Sequence, residues 1–298
     1  MSIPLLPSYS LPDVNTLPEN KVGWQVDLSR CALLIHDMQE YFLGFYGDTS
    51  PLRDNLKANI ASLRNWAKKN QVPIIYTAQP IEQSAEDRAL LNDMWGPGLT
   101  QADPDLQKIT SQLTPDTDDT VLVKWRYSAF HRSELQDILK AAGRDQLVIC
   151  GVYAHIGCLA TALDAFMYDI QSFAVADALG DFSEADHKMA LNFIAGRCGS
   201  VVTSGQLISI GQSTAPDLDW ASIKLQLVEM IDESPELFDP EENLIDYGLD
   251  SIQLMTLISR WQANGVHLKF EELASAPSLN NWWGLIVKKY PELTSRGP

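Results

Sequence analysis

From Cys31 to about Val202 the chain alternates short apolar runs with longer amphipathic stretches. Ala32-Leu33-Leu34-Ile35 is apolar without alternation, the pattern of a strand buried on both faces. Leu52 to Asn70 has helical spacing, and Val72 to Thr77 predicts a second strand. Thr120–Val123, Gln146–Cys150, Ser172–Val175 and Gly199–Val202 predict four more. Helices are predicted over Glu134–Ala142, with Gly143 as a stop, over Gly157–Tyr168, and from Ser183 onward. Strands alternating with such helices imply an α/β domain: a doubly wound, mostly parallel sheet with helices on both faces. Sites in such sheets form at the carboxyl ends of strands.

Past residue 207 the pattern changes. Residues 208–217 are small and polar and contain Pro, so they read as a linker. Periodicity returns as helices only: Trp220–Ile231, Ser251–Ala263, a short turn at Phe270–Ala274, and Leu279–Tyr290, with a long loop from Asp232 to Asp250. The expected plan is an α/β domain over 1–207 and a small C-terminal four-helix domain over 218–298.

Composition agrees with two cores, since the chain has 298 residues and is 45% hydrophobic. The formal net charge is −17, which argues against binding nucleic acid. Roughly half of that excess lies in the last 80 or so residues, which suits a docking module for basic partners and equally a solvated acidic face. No basic start with an apolar run opens the chain, and no apolar run approaches about 18 residues. A soluble, cytoplasmic protein without a membrane span is the expectation. The four cysteines lack zinc spacing and read as small buried residues. The five histidines have no i, i+4 partners, so no metal site is expected.

Three segments carry candidate chemistry in the first domain. Asp37 directly follows a buried strand, where desolvation raises a carboxyl pKa and keeps a proton available; it reads equally as a strand-ending cap. Lys124 also follows a strand and suits pairing with Asp37 or with an anionic substrate, or a surface lysine with a snorkelling stem. Cys150 to Cys158 spells a strand, a tight turn and a helix start at the same sheet edge. In the second domain, Gly248-Leu249-Asp250-Ser251 puts a serine at a helix start, beside orphan N–H groups able to receive a phosphate. Ile252, Leu254, Met255, Leu257 and Ile258 are expected to bury the other side of that helix. A serine there also serves as a plain helix cap.

Residues 218–292 resemble acyl and peptidyl carrier proteins, through their Gly-Leu-Asp-Ser attachment motif. The resemblance implies a covalent 4'-phosphopantetheine on Ser251, installed by a phosphopantetheinyl transferase. Residues 25–205 resemble the isochorismatase-like hydrolase superfamily, which includes nicotinamidases and carbamoylsarcosine hydrolases. Its cysteine hydrolases use an Asp–Lys–Cys triad. Asp37 and Lys124 match the first two members, Gly157 stands at the cysteine position, and Cys158 is one residue later. One helical residue rotates a side chain by about 100°, which turns Cys158 toward the core. Glycine at that position matches the isochorismatases, which cleave an enol ether without a covalent intermediate, and it is expected to leave space for substrate.

Thr77-Ala78-Gln79-Pro80, Glu86 to Leu91, Met94 to Leu99 and Lys124 to Phe130 resemble the isochorismatases of catechol-siderophore pathways. The order of domains resembles bifunctional isochorismatase/aryl carrier proteins. That resemblance implies hydrolysis of isochorismate to 2,3-dihydro-2,3-dihydroxybenzoate and pyruvate, with Asp37 as acid and Lys124 holding it in register. For that reaction Gln79 and Arg88 are the candidates for the substrate carboxylates, because a guanidinium fork suits a carboxylate; Phe42, Trp95 and Tyr153 suit the wall of the ring, and core packing explains each nearly as well. The resemblance further implies a cis Val152–Tyr153 peptide and a homodimer. The implied partners are a 2,3-dihydroxybenzoate-AMP ligase and a nonribosomal peptide synthetase condensation domain. An amino analogue of isochorismate stays open as substrate. So do a cysteine amidohydrolase fused to a carrier, since a helix N-terminus lowers a thiol pKa, and a carrier with an inactive hydrolase half.

Overall fold

In the computed structural model, β1 (Cys31–His36), β2 (Ile74–Ala78), β3 (Thr120–Val123), β4 (Gln146–Val152), β5 (Gln171–Gly180) and β6 (Gly199–Val202) form one parallel sheet. Their order is β3-β2-β1-β4-β5-β6. The structure describes residues 4–80, 82–210, 218–231, 238–263, 265–291, 293 and 297. The chain steps outward from β1 to β3, then returns to the other side of β1 with β4. The crevice at the carboxyl ends of β1 and β4 is therefore a topological switch point, the place where open α/β sheets bind ligands.

All six residues of β1 are buried because both faces of the sheet are covered. Leu33 and Ile35 share a core with Leu56, Ile60 and Leu63, while Ala32 and Leu34 share another with Leu139, Ala162 and Ile194. The helices on these layers are short or amphipathic: α1 (Glu40–Gly44), α2 (Pro51–Lys69), α3 (Ala85–Arg88), α4 (Leu90–Trp95), α5 (Leu135–Ala141), α6 (Leu159–Met167), α7 (Glu184–Arg197) and α8 (Ser204–Ser209). Helix α2 begins where Ser50 caps Arg53 N–H and Pro51 fills the first turn; Lys68 and Lys69 complement its carbonyl end. No helix among the described residues is long and apolar enough to cross a membrane.

Three details differ from the sequence reading. Residues Ala154–Cys158 form a π-type turn, so the helix predicted from Gly157 starts at Leu159. Strand β5 runs past Val175 to Gly180, with a register shift against β4 between Ile149 and Gly151. That extension delivers Asp181 and Phe182 to the switch point. The stretch read as linker from 208 is helical to Ser209, because a Thr203–Gln206 capping box starts α8 and Leu207 is buried. The compact units divide between Gly211 and Gln212, and 211–217 lie outside the described residues.

The second unit contains α9 (Trp220–Met230), α10 (Ser251–Ala263), α11 (Phe270–Ala274) and α12 (Leu279–Lys289). Residues 232–237, the start of the predicted loop, lie outside the described residues. The core holds Ile223, Leu227, Leu257, Trp261, Trp282 and Ile286, with the Trp261 and Trp282 rings 5.9 Å apart, edge to face. The sequence reading of α10 needs correction. Leu254, Leu257 and Ile258 are buried, but Ile252 is 78% and Met255 52% exposed. At about 100° per residue, positions 254, 257, 258 and 261 make the core stripe, and 252 and 255 fall on the face of Ser251.

Candidate active site

Parallel register decides which side chains meet. His36 pairs with Thr77, and Ala78 pairs with Val123, so the ends of β1, β2 and β3 lie side by side. The residues just past them converge. Asp37 Oδ1 accepts a hydrogen bond from Thr77 Oγ1 at 2.6 Å, and Oδ2 accepts one from Lys124 Nζ at 2.6 Å. The Asp37 N–H is also tied to Thr77, and the residue takes a left-handed φ of 51°. Asp37 and Lys124 are both buried. Burial alone would raise the Asp37 carboxyl; Lys124, His36 and the hydrogen bonds from Lys124 and Thr77 outweigh it and hold it below the usual carboxylate range. The expectation of a protonated Asp37 thus fails for the pair as it stands: the adjacent ammonium wins over desolvation.

The β4 side is shaped by close approach. Gly151 has φ +117°, and a Cβ there would lie 2.1 Å from the His36 carbonyl oxygen. The Val152–Tyr153 peptide that follows is cis. Tyr153 donates from its hydroxyl to the Phe42 carbonyl at 2.7 Å. Gly157 is buried on the cavity wall. A Cβ at 157 would also meet His36 Cε1 at 2.2 Å, so the imidazole is a further bar to a side chain there. Cys158 is fully buried in the opposite core, does not line the cavity, and has its thiol pKa pushed up by burial.

One cavity with about 650 Å³ of atom-free space, partly open to solvent, collects the sequence-predicted residues of the hydrolase site. Asp37, Lys124, Gly157, Gln79, Arg88, Tyr153, Phe42 and Trp95 all line it. Arg88 is buried and donates from Nε to the Gly96 carbonyl at 2.8 Å and from Nη1 to Gln83 at 3.4 Å. It has no carboxylate partner among the described residues, and burial lowers its pKa. A buried guanidinium without a counter-ion suits an anionic ligand. Gly98, at φ +55°, makes room for it, since a Cβ there would lie 2.4 Å from Nη2. Gln39, fully buried, pins the backbone of Gln79 through both its amide N–H and its carbonyl. Phe182 stacks edge-on against Tyr153 and Trp95 at 4.7 and 6.1 Å, and Trp95 Nε1 donates to the Tyr127 hydroxyl at 2.9 Å.

His36, Thr77, Tyr127 and Phe182 were missed from sequence. The parallel pairing of β1 with β2 signals Thr77, but nothing local signals Phe182, which arrives through the extension of β5. Among the described residues no group of three or more His, Cys, Asp or Glu is placed to hold a metal ion.

In the second unit, Gly248 turns with φ +89° and Leu249 is buried. Asp250 then caps α10: its Oδ1 accepts from the Ile252 and Gln253 N–H groups at 2.8 Å, and the Asp250 N–H donates in return to Gln253 Oε1. Those N–H groups are therefore not available for a phosphate, contrary to the sequence reading. Because Asp250 is the cap, Ser251 is not. Its side chain is exposed, with no hydrogen bond among the described residues. An exposed, unengaged hydroxyl at the first position of a helix fits covalent attachment of a long arm.

Residues 31–206 match the isochorismatase domain family, and residues 223–286 match the phosphopantetheine attachment site family. Enterobactin synthase component B of Escherichia coli (strain K12) is 52% identical over 97% of this chain and 99% of its own. A Bacillus subtilis (strain 168) protein named isochorismatase is 44% identical over 97% of this chain and 96% of its own. Among solved structures, a cysteine hydrolase from Pseudomonas syringae pv. phaseolicola superposes with a TM-score of 0.58 at 25% identity, over 65% of this chain and 97% of that one.

Proposed function

Because this chain belongs to the isochorismatase family and carries a phosphopantetheine attachment domain behind it, we propose a division of labour between a buried pocket and an exposed serine. The first unit is an isochorismatase, hydrolysing isochorismate to 2,3-dihydro-2,3-dihydroxybenzoate and pyruvate. The second is an aryl carrier for siderophore synthesis, with 4'-phosphopantetheine covalently attached to a serine. The observation that carries the site assignment is the buried Asp37–Lys124 pair facing an uncompensated Arg88 across one aromatic-walled cavity.

Asp37 is the general acid. The dianionic substrate brings its carboxylates to Arg88, Gln79 and Lys124, drawing Lys124 away from its carboxylate partner. Like-charge repulsion and water exclusion then raise Asp37, so substrate binds with uptake of a proton. Asp37 gives that proton to the terminal methylene of the enol ether, and water adds to the oxocarbenium-like carbon beside it. The hemiketal collapses to products. General acid catalysis of this kind supplies about 10²–10⁴-fold; positioning by Arg88, Gln79 and the aromatic wall of Phe42, Trp95 and Tyr153 supplies the rest.

Ser251 holds the arm, whose thiol carries the aryl acid as a thioester. Ile252 and Met255, exposed on the same face, offer apolar contact to the enzymes that act on it. These are a phosphopantetheinyl transferase, a 2,3-dihydroxybenzoate-AMP ligase and a condensation domain. In this reading the chain works in the cytoplasm as a homodimer, with the hydrolase ending near residue 210. One preparation tests both halves: pyruvate release from isochorismate, and intact mass after incubation with a phosphopantetheinyl transferase. No pyruvate sinks the first half; no gain of about 340 Da sinks the second.

A further inference from the structure

The two carboxyl oxygens of Asp37 have different partners. Oδ2 accepts from Lys124, which lines the cavity, and Oδ1 accepts from the Thr77 hydroxyl, which does not. Oδ2 is thus the oxygen on the cavity side, and Oδ1 is turned toward β2. Only a proton on Oδ2 is placed for transfer to a molecule in the cavity.

Thr77 is 1% exposed. Its hydroxyl accepts from the Asp37 N–H at 3.1 Å, donates to Oδ1 at 2.6 Å, and makes no other hydrogen bond among the described residues. A hydroxyl has one hydrogen. If it turned to accept a proton from Oδ1, that hydrogen would be left buried and unpaired, which native structures avoid. The Asp37 N–H on one lone pair and the carboxylate on the hydrogen therefore fix Thr77 as a donor, and Oδ1 as an acceptor. The titratable groups that act on Asp37 are His36 on β1, Lys124 past β3, and Tyr153 and Cys158 past β4. Of these Lys124 alone hydrogen-bonds it, and it does so on the oxygen that has to be protonated.

We propose that Thr77 is a positioning residue that directs the catalytic proton to Oδ2 of Asp37; this rests on the isochorismate-hydrolysis reading. When the substrate carboxylates draw Lys124 away, Oδ2 loses its donor and Oδ1 keeps one. The proton taken up with substrate then bonds to Oδ2. The C=C pair takes that proton to form the new C–H bond, and the O–H electron pair stays on Oδ2. Thr77 keeps its own proton throughout, and its hydrogen bond stabilises the carboxylate that the transfer leaves. Without the hydroxyl, Oδ1 takes the proton while Lys124 stays on Oδ2, an arrangement that is protonated and unproductive.

Thr77→Val replaces the hydroxyl with a methyl group on another β-branched residue, and the Asp37 N–H keeps the main-chain carbonyl of residue 77 at 3.2 Å. In that variant kcat for pyruvate release falls about 10–100-fold, the loss of a hydrogen bond to a charged group, with KM within about threefold. The alkaline limb of the kcat profile, where Asp37 loses its proton, moves to higher pH, because removing a donor from a carboxylate raises its pKa. A slower enzyme with a more readily protonated acid marks a misplaced proton; a merely structural role lowers kcat and leaves the limb in place. Thr77→Ser restores the hydroxyl and returns both readings toward wild type. A kcat within about twofold of wild type, an unmoved limb, or a serine variant as slow as the valine one overturns the proposal. Should the valine variant not fold, neutron diffraction from wild-type crystals decides: the hydroxyl deuterium must lie between Thr77 Oγ1 and Asp37 Oδ1, and any other direction overturns the role. Wild-type protein that releases no pyruvate refutes the reaction itself, whereas normal release by both wild type and Thr77→Val refutes the role of Thr77 alone.

Discussion

Asp37 and Ser251 both carry side-chain oxygens at the end of a secondary-structure element, and their surroundings are opposite. Asp37 is 3% exposed and fixed by two hydrogen bonds of 2.6 Å, one from Thr77 in β2 and one from Lys124 just past β3. Ser251 is exposed and makes no hydrogen bond among the described residues, because its neighbour Asp250 does the capping. The difference suits the two roles proposed for them. A group that performs chemistry needs an enclosed, fixed environment that sets its charge. A group presented to the active sites of other enzymes needs access, and its surroundings contribute little to the chemistry.

That contrast can be broken at several points. Ser251→Ala should abolish the gain of about 340 Da on phosphopantetheinylation while pyruvate release stays within error; any gain in that variant removes Ser251 from the assignment. Asp37→Asn should lower kcat by about 10²–10⁴-fold and leave Ser251 loading intact; near-normal turnover would end its role as acid. Arg88→Gln should raise KM by about 10–100-fold, the loss of a charge-assisted hydrogen bond, and an unchanged KM would place the substrate carboxylates elsewhere.

Acid should separate the two units. His36 and His187 are buried and held neutral, each with its pKa pushed down to about 4 by burial. Between pH 6.5 and about 4 the unfolded chain binds protons at these rings and the folded chain does not. Stability is therefore full above that window and declines as pH falls through it, by about 2 kcal/mol for each imidazole at pH 5. Both rings belong to the first unit, so its melting is the one expected to respond. Calorimetry at pH 7 and pH 5 resolves the two transitions. The smallest effect is expected for Cys158→Ala, with kcat changed less than about twofold, since the thiol is packed in the core away from the cavity. An inactive variant would revive a thiol mechanism.

The sheet was readable because buried parallel strands are short apolar runs, and β1 and β4 show this plainly. The site was readable where its residues follow those runs, as Asp37 and Lys124 do. Arg88, Trp95 and Gln79 were found through resemblance, since the stretch between β2 and β3 has no periodicity to place them. The pairing of Lys124 with Asp37 was open in the sequence, but whether burial or the ammonium sets the charge of Asp37 needed the 2.6 Å contact. Ile252 and Met255 were misassigned because α10 carries more apolar residues than its core stripe needs, and periodicity alone cannot separate a core from a docking face. Residues of β5 past Val175 were lost because a register shift leaves no local trace.

The clash between His36 and a side chain at 157 also bears on how this chemistry changes over evolutionary time. A change from Gly157 to cysteine, the obvious first step toward a covalent hydrolase, would drive a Cβ to within 2.2 Å of the imidazole. His36 would have to move or shrink first. The order of substitutions between a glycine and a side chain at this position is thus constrained by a second residue, one that is neither the acid nor its lysine partner.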